Sequence, residues 1–483
     1  MRLKKILDGV STLKVKNFKN YDIKAITHIS KDVIKDSIFI AIKGSEFNGN
    51  DYVLEAIGLG AKCIISEEDI CIENATVIVV NNVRKVMSII AKNFYNKVCD
   101  TMDIIGVIGS SGKTTTANII KQILGYSGNK IGLIGTNTIY IDNIVLDNKF
   151  TTPDPLELHY IFYQMKMLGV NTVVMEVSAQ AISQYKMYGI RLRVGVFTNI
   201  SEEHLDFFGS MENYIKVKSE YFNIKNMDEA VINVDDTCGR DIAYDANLPI
   251  LSYGIDNPAN TFAVDIDSKI DRLNFVVNSL DDVYKISTKL VGIYNVYNIM
   301  SAITVARILG LDRETILSAV NNLECVEGRF NVFDLGKGNK IIVDFAHTVD
   351  SIEKLLSFVR GLVTGRLITV FGCVGYSNKE KRQKMMKAAV SYSDFVIVTT
   401  DNRGEVSFED IERDMVESVH HSKYISIEDR KGAIHFAFGM LGKNDTVVVM
   451  GKGAEKYQTI GKEKIPYSDL DIVQELIKKL EVK

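Results

Sequence analysis

The strongest constraint on the fold is the segment IGVIGSSGKTTT at 105–116, where an apolar run passes through a glycine-rich turn into a lysine and three threonines. Glycines let backbone N–H groups approach phosphate oxygens, and the helix that follows adds the positive end of its dipole. Lys113 would neutralise the β- and γ-phosphates, and the Thr114 hydroxyl would bind Mg²⁺. An ordinary strand-to-helix turn is the alternative, but Gly-Lys-Thr in this context favours nucleotide binding.

This turn is a variant of the usual phosphate loop, because the position of its first glycine holds Val107 and the glycines lie at 106 and 109 instead. The residues expected to surround the phosphates are Gly109, Ser110, Ser111, Gly112, Lys113, Thr114 and Thr115.

Length and composition narrow the class of protein. A chain of 483 residues suggests about three domains, and 46% hydrophobic residues permit large cores. The net charge of −4 argues against a nucleic-acid partner. No apolar stretch has the length of a membrane span or a secretory signal, and the six cysteines are scattered. We therefore expect a cytoplasmic monomer with reduced thiols and no membrane partner.

Apolar runs alternate with helical patterns along the whole chain, which predicts an α/β protein. Runs such as 172–178, 194–200 and 229–235 have the continuous hydrophobicity of buried parallel strands, whereas 261–290 alternates like a hairpin. We predict three domains: a small N-terminal α/β domain at 1–100, a central domain with a mostly parallel sheet and the phosphate loop at 101–328, and a C-terminal Rossmann-like domain at 329–483.

Four further residues carry chemistry but also have simpler interpretations. Glu176 ends an apolar strand, where it could hold a metal or merely face solvent. His204 lies among acidic residues, as a metal ligand or as part of a solvated cluster. Lys218 has the pattern of a surface lysine, and Arg329 could reach a phosphate or only pin a linker.

The strands predicted in the third domain all end in polar or glycine residues. In an open parallel sheet, ligands bind beyond the carboxyl ends of the strands. We therefore expect a cluster along one edge, formed by Asp344 with His347, Gly372, Asp401 with Asn402, and 451–455.

The order of these segments resembles the Mur ligases, the ATP-dependent amide-forming enzymes of peptidoglycan assembly. The resemblance covers nearly the whole chain and is closest to the members that add the third amino acid to UDP-N-acetylmuramoyl-alanyl-glutamate. The matching motifs after the loop are TTPD at 151–154, MEVS at 175–178, VFTNI at 196–200, EHLDF at 203–207, G-x-YN-x-x-N at 292–298, EGRF at 327–330, VDFAHT at 343–348, VFGC at 370–373, TTDN at 399–402 and GKGAEKYQ at 451–458.

The resemblance implies a role for each matching residue. Thr114, Glu176, His204 and Lys218 would form the Mg²⁺ site, with Lys218 carbamylated, and these residues with Lys113 would carry catalysis. Asn295, Arg329 and Asp344 would contact ATP. The UDP-sugar-dipeptide would contact Ser30, Thr151, Thr152, Ser178, Gln184 and Lys186. The incoming amino acid would contact Arg382, Asp401, Asn402, Arg403, Gly451 and Glu455.

The implied reaction joins an amino acid to the glutamate carboxylate through an acyl phosphate. Departures from the family pattern are Ser110-Ser111 in the loop, Ile29 and Lys31 around Ser30, Lys186 for arginine, Val349 for proline, and Tyr376-Ser377 for an Asp-Arg pair. They raise the alternative of a divergent paralogue.

The sequence DNRGE at 401–405 favours meso-diaminopimelate over lysine, because only a diacid needs a guanidinium partner there and Arg403 could provide it. A related ligase that polymerises a folate or cyanophycin chain would also carry the phosphate loop, and so would a phosphate-loop binding protein without ligase activity.

Overall fold

The computed structural model describes the whole chain except residues 45, 46, 137, 143, 149, 204, 418, 420–422, 482 and 483, and the side chains of 206, 480 and 481. The chain divides into two compact units, residues 1–200, 204–261 and 301–311, and residues 201–203, 262–300 and 312–483. The architecture is α/β, with three domains and mostly parallel sheets, which confirms the predicted fold class.

The first sheet lies at the start of the chain and is small. Its strands are β1 Lys14–Lys16, β2 Ala25–Thr27, β3 Ser37–Ile40, β4 Ala61–Ser66 and β5 Thr76–Val79, in the order β1-β5-β4-β3-β2. Every pair is parallel except β1 with β5. Its helices are α1 Leu3–Ile6, α2 Val53–Leu59 and α3 Val83–Phe94. Asn82 begins α3 by accepting a hydrogen bond from the Lys85 backbone N–H.

The second sheet carries the phosphate loop. Its strands are β6 Asp103–Ile108, β7 Ile131–Gly135, β8 Thr138–Ile141, β9 Ile144–Asp147, β10 Thr172–Val177, β11 Leu192–Phe197, β12 Met227–Asn233 and β13 Ile250–Gly254. They lie in the order β13-β12-β11-β6-β10-β7-β8-β9 and are parallel from β13 to β7. The helices are α4 Lys113–Gly125, α5 Pro155–Met167, α6 Ala179–Ser183, α7 Leu205–Phe208, α8 Met211–Ser219 and α9 Thr237–Asp245.

The register of this sheet determines where the loop lies. Glu176 on β10 pairs with Val107 on β6, and Val107 pairs with Val196 on β11 on the other side. Both β6 and β10 are buried along most of their length against the core that contains Phe162. The loop after β6 is therefore flanked by the carboxyl ends of β10 and β11.

Three strands and two helices follow. They are β14 Thr261–Ser268, β15 Leu273–Ser279, β16 Asp282–Thr288, α10 Ile293–Ile308 and α11 Arg313–Asn321. Strands β15 and β16 pair antiparallel, which confirms the predicted hairpin. Within the described residues, no helix combines the length and apolar character that crossing a membrane requires.

The last sheet has strands β17 Asn331–Asp334, β18 Lys340–Asp344, β19 Leu367–Phe371, β20 Phe395–Val398, β21 Tyr424–Ser426 and β22 Thr446–Met450, in the order β17-β18-β22-β19-β20-β21. A hairpin of β23 Tyr457–Ile460 and β24 Glu463–Pro466 follows. The helices are α12 Val349–Leu362, α13 Lys379–Tyr392, α14 Phe408–Val416, α15 Arg430–Gly439 and α16 Asp469–Glu481. Strands β18 to β22 are parallel, so their carboxyl ends share one edge, as predicted.

Candidate active site

The phosphate loop is held by hydrogen bonds to Asn199, which follows β11. The Ser110 N–H donates to the Asn199 carbonyl at 2.8 Å, and the Ser111 N–H donates to Asn199 Oδ1 at 2.9 Å. Lys113 Nζ folds back to the carbonyls of Gly109 at 2.9 Å and Ser110 at 2.6 Å. The Lys113 ammonium is therefore bound by loop carbonyls, and the oxygens of a bound phosphate would compete with these carbonyls for it.

Gly109 is required by its surroundings. Its φ is +156°, and a Cβ atom there would lie 1.9 Å from Thr198 Oγ1. The same Thr198 hydroxyl donates to the Ser111 carbonyl at 2.8 Å. The close packing of the loop on the end of β11 explains why a glycine lies at 109 although the first glycine of the usual loop is missing.

Glu176 is buried, which excludes the simpler interpretation of an acid that faces solvent. Its carboxylate accepts hydrogen bonds from Thr114 Oγ1 at 2.9 Å, the Thr136 N–H at 2.8 Å and Thr136 Oγ1 at 3.2 Å. A Cβ at Gly135 would lie 2.6 Å from Glu176 Oε1. Hydroxyl and carboxylate oxygens are the ligands that Mg²⁺ prefers, so Thr114 and Glu176 fit a Mg²⁺ ion that also binds phosphate oxygens.

The rest of the predicted metal site is only partly visible. His204 lies outside the described residues. Within the described part of the chain, no group of three or more histidine, cysteine or acidic side chains has the arrangement of a metal site.

Lys218 is buried on α8, which excludes the simpler interpretation of a surface lysine. Its Nζ donates to Tyr214 Oη at 2.5 Å and to Ser110 Oγ at 3.3 Å, and these two hydroxyls are 3.0 Å apart. Ser110, the first residue of the unusual serine pair, therefore joins the phosphate loop directly to Lys218.

A second set of predicted residues lies around the backbone of Glu176. Thr152 Oγ1 donates to the Glu176 carbonyl at 2.9 Å and accepts from the Ser178 N–H at 3.1 Å. Ser178 caps α6 through its hydroxyl, and Thr151 Oγ1 lies 3.1 Å from Thr136 Oγ1. The structure therefore brings Thr151, Thr152 and Ser178 together, whereas Gln184 lies one helix further on, as the C-cap of α6.

Lys186 joins the same region. Its Nζ lies 2.9 Å from Asp154 Oδ1 and donates to the Thr152 carbonyl at 3.3 Å. The side chain is almost completely buried and its ammonium lies over the Phe150 ring. The Lys186 ammonium therefore binds the TTPD segment and is largely shielded from solvent.

A cavity of about 590 Å³ in the N-terminal region contains Ser30. Its lining includes His28, Phe39, Phe47, Tyr52, Arg84 and Asp154, so it extends from the first sheet to the TTPD segment. Burial lowers the pKa of His28, and the charges of Arg84 and Lys186 act in the same direction against Asp154. His28 is therefore a neutral imidazole near pH 7.

In the second unit, two of the predicted nucleotide contacts, Arg329 and Asp344, lie around the end of β18. Asp344 accepts hydrogen bonds from the N–H groups of Phe330 at 2.7 Å and Ala346 at 2.8 Å. Burial raises the pKa of the Asp344 carboxyl, while the Arg329 guanidinium lowers it. Arg329 stacks on the Phe345 ring, and Asn295 Nδ2 donates to the Val291 carbonyl at 2.7 Å.

The end of β22 carries a buried cluster that we call the lysine cluster: Asp401, Asn402, Lys452 and Glu455. Lys452 Nζ lies 2.7 Å from Glu455 Oε2, 3.0 Å from Asn402 Oδ1 and 3.7 Å from Asp401 Oδ1. Asn402 Nδ2 in turn donates to Glu455 at 2.9 Å. Gly451, with φ +113°, leaves room for Asp401, whose Oδ2 would lie 2.8 Å from a Cβ there.

The two predicted arginines lie beside this cluster. Arg382 is buried and pairs with Asp414 at 2.8 Å, and it donates to the Gly375 carbonyl at 2.8 Å. Arg403 donates to the Val406 carbonyl at 2.9 Å. In the described structure the Nε of each arginine is buried without a hydrogen-bond partner, so each guanidinium keeps donor capacity for an anionic ligand.

Comparison with known proteins decides the family. The chain is 36% identical over 480 residues to the UDP-N-acetylmuramoyl-L-alanyl-D-glutamate--2,6-diaminopimelate ligase of Caldanaerobacter subterraneus subsp. tengcongensis, and 99% of each chain is aligned. The ligase of the same name from Clostridioides difficile is 35% identical, over 99% of this chain and all of that protein. The chain belongs to the Mur ligase family.

Domain models of this family match in the same order. The Mur ligase family catalytic domain matches residues 22–95, the Mur ligase middle domain matches 107–306, and the Mur ligase glutamate ligase domain matches 328–453.

A solved structure of a UDP-N-acetylmuramoyl-L-alanyl-D-glutamate--2,6-diaminopimelate ligase aligns with a TM-score of 0.69 at 26% identity, over 96% of this chain and 97% of that one. MurF from Acinetobacter baumannii shares the fold, with a TM-score of 0.68 at 18% identity, over 98% of each chain.

Sequence reasoning missed several residues that complete the site of this Mur ligase. Thr136 supplies two of the hydrogen bonds to Glu176, Tyr214 contacts Lys218, and Lys452 is the centre of the lysine cluster. Tyr214 is four residues before Lys218 on α8, so helical spacing could have identified it. Lys452 lies inside the GKGAEKYQ motif, where its proximity to Gly451 and Glu455 was the available signal.

Proposed function

We propose that this Mur ligase joins meso-diaminopimelate to the D-glutamate carboxylate of UDP-N-acetylmuramoyl-L-alanyl-D-glutamate, with conversion of ATP to ADP and phosphate. The observation that carries the proposal is the end of β10. There the Glu176 side chain contacts the phosphate-loop threonine, and its backbone carbonyl accepts from Thr152 of the TTPD segment. One strand end therefore supports both a triphosphate site and an acyl-acceptor site. The names of the relatives give the substrates.

The chemistry has two steps. The glutamate carboxylate attacks the γ-phosphorus of ATP, which gives an acyl phosphate and ADP. The amino group of diaminopimelate then attacks the acyl carbon, phosphate leaves, and the ammonium proton is lost. In both steps the protein mainly positions the groups and neutralises developing negative charge.

The loop and its neighbours fill the first role. Lys113 exchanges its carbonyl contacts for phosphate oxygens, and the N-terminus of α4 stabilises the β-phosphate. Mg²⁺ bound through Thr114 and Glu176 would supply Lewis-acid stabilisation of the transferred phosphoryl group. Asn295, Arg329 and Asp344 of the second unit are the further residues that we propose as nucleotide contacts.

Lys218 is the residue that we propose as the carbamate. The Lys218 ammonium first loses a proton, carbon dioxide then adds to the neutral amine, and a second proton is released, so that a cation becomes an anion. ¹³C NMR in ¹³C-bicarbonate should give one protein carbamate signal that Lys218→Ala removes. A small carboxylate such as acetate should restore part of the activity of that variant, and retention of full activity without a carboxylate would contradict the assignment.

The lysine cluster and the two arginines would hold the amino acid. Asp401 and Glu455 attract an ammonium group, and Arg382 and Arg403 would bind its carboxylates. The domain limits 1–100, 101–328 and 329–483 remain part of this proposal, with the uridine nucleotide in the first, ATP in the second and the amino acid in the third.

An amino-acid panel tests the proposed function. The protein, ATP, Mg²⁺ and UDP-N-acetylmuramoyl-L-alanyl-D-glutamate are incubated with meso-diaminopimelate, L-lysine or L-ornithine, and the tripeptide product is measured by mass. We expect product with meso-diaminopimelate and ADP release only when all substrates are present. Product with lysine alone would change the amino acid, and no product with any of them would contradict the ligase assignment.

A further inference from the structure

The cavity beside Ser30 has two kinds of wall. Ile29, Phe47 and Tyr52 place exposed apolar surface on it, which suits a flat heterocyclic base. Lys31 and Arg84 line it with positive charges, and His28 lines it with a neutral imidazole. A base and an anionic group could therefore be bound in the same cavity.

Arg84 is directed to this cavity by helical periodicity. Arg84 and Met87 are three residues apart on α3, and both line the cavity. Their neighbour Lys85 faces elsewhere, because its Nζ lies 4.5 Å from the ring centre of Tyr185 and 5.6 Å from that of Tyr188. The two adjacent basic residues of α3 thus have different surroundings.

Among the described residues, the guanidinium of Arg84 has no counter-ion. Across the part of the chain that the structure describes, it makes no ion pair and no side-chain hydrogen bond, although the residue is half-buried. The carboxylate that lines the same cavity, Asp154, is already paired with Lys186 at 2.9 Å. Half-burying an unpaired cation is costly, so an anionic ligand would lower the free energy of this site.

We propose that Arg84 binds the diphosphate of the uridine-nucleotide substrate, with Lys31 at the exposed side of the same anion site. The inference rests on the proposed function for the identity of the nucleotide. In that substrate the diphosphate connects the base to the sugar. Ser30 and the apolar wall lie in the cavity, and Asp154 of the TTPD segment marks the side where Thr152 and Lys186 would meet the sugar and peptide. Arg84 shares the cavity with both, as the connecting diphosphate requires.

The test compares ligands that differ only in phosphate. Dissociation constants for UDP and uridine are measured by titration calorimetry for the wild type, Arg84→Met, Arg84→Lys and the control Lys85→Met. Arg84→Met keeps the aliphatic stem and removes the charge. We expect it to weaken UDP binding roughly 10- to 100-fold, as loss of a charge-assisted hydrogen-bond pair does, with little change for uridine. Arg84→Lys should retain part of the UDP affinity, and Lys85→Met should bind both like the wild type.

The same variants are assayed as ligases. For Arg84→Met the loss should appear in the KM for the uridine-nucleotide substrate rather than in kcat, whereas a general structural defect would lower kcat or the melting temperature. Equal weakening of UDP and uridine, or unchanged UDP affinity, would overturn the assignment of Arg84. If the wild type bound UDP but formed no tripeptide, the proposed function would fail while the role of Arg84 was still decided by the calorimetry.

Discussion

The phosphate loop and the lysine cluster both place a lysine among backbone and side-chain oxygens, but they are built in opposite ways. Lys113 contacts carbonyls three and four residues before it, and its ammonium is only half-buried. Lys452 is completely buried and contacts Asn402, 50 residues away, besides its neighbour Glu455. The contacts of Lys113 are local, whereas those of Lys452 exist only when β20 and β22 lie in the same sheet.

The two sites therefore differ in how they tolerate substitution of their lysine. Carbonyl oxygens that hold Lys113 can be replaced by phosphate without leaving a charge behind, so the loop lysine can move to a ligand. Lys452 offsets two carboxylates in a dry environment, so its removal leaves uncompensated buried charge. We therefore expect substitutions in the loop to reduce activity mainly, and substitutions in the cluster to reduce stability as well.

The largest effect tests the loop. Lys113→Met should lower kcat by a factor of about 10³, because it removes a positive charge from the developing phosphoryl transition state. The free energy of unfolding should change little, since the hydrogen bonds that the ammonium makes to described residues all go to carbonyls of its own turn. ADP release with all substrates and urea unfolding give the two values. A large loss of stability would show that Lys113 stabilises the folded loop, as Lys452 stabilises its cluster, and would contradict the difference between the two lysines.

The next effect tests the cluster. Lys452→Met should lower the free energy of unfolding by about 3–5 kcal/mol, as removal of one partner from a buried ion pair does. Lys456→Met is the matched control, because its ion pair with Glu327 is exposed and should contribute less than about 1 kcal/mol. Adding Glu455→Gln to Lys452→Met removes one stranded carboxylate and should restore part of the stability. If the double variant is no more stable than Lys452→Met, Lys452 does not stabilise the fold by neutralising the charge of Glu455.

The same contrast explains what the sequence could predict. The loop, its flanking strands and the shared edge of β18, β19, β20 and β22 follow from local patterns, since apolar runs and the residues that end them are contiguous. The burial of Glu176 and Lys218 could not be predicted from such local patterns, because their partners are distant in the sequence. Thr136 lies 40 residues from Glu176, and Ser110 lies 108 residues from Lys218.

Only the resemblance to a known family identified these two residues as functional. Lys452 was missed for the same reason, because a lysine between glycines has the pattern of a loop until Asn402 is brought against it.

Unfolding at acid pH gives a third test, whose expected effect lies between those of Lys452 and Lys186, because the core of the domain that carries the loop contains the buried imidazole of His159. Burial lowers the pKa of His159 to about 3, with Lys92 acting in the same direction. The folded state therefore binds fewer protons than the unfolded state below pH 6.5, and stability falls as the pH falls. The loss should reach roughly 3 kcal/mol by about pH 4.

His159→Leu should flatten this dependence, measured by urea unfolding and by hydrogen exchange of peptides that cover β6 and β10. An unchanged slope in the variant would place the acid sensitivity of the loop region elsewhere.

The smallest effect concerns Lys186, which is intermediate between the two cases because its partners Asp154 and Thr152 lie 32 and 34 residues before it in the chain. The family pattern has arginine at this position, and a guanidinium can keep the Asp154 contact while presenting a second N–H to the substrate. Lys186→Arg should therefore lower the KM for the UDP-muramoyl dipeptide by about threefold, a change of under about 1 kcal/mol. Lys166→Arg, at a half-buried lysine on α5 whose ammonium bonds Thr101 and Asn171, is the control and should leave KM unchanged. A higher KM in Lys186→Arg would mean that the packing of Phe150 and Thr152 has adapted to lysine, which would place this residue with the long-range cluster rather than with the loop.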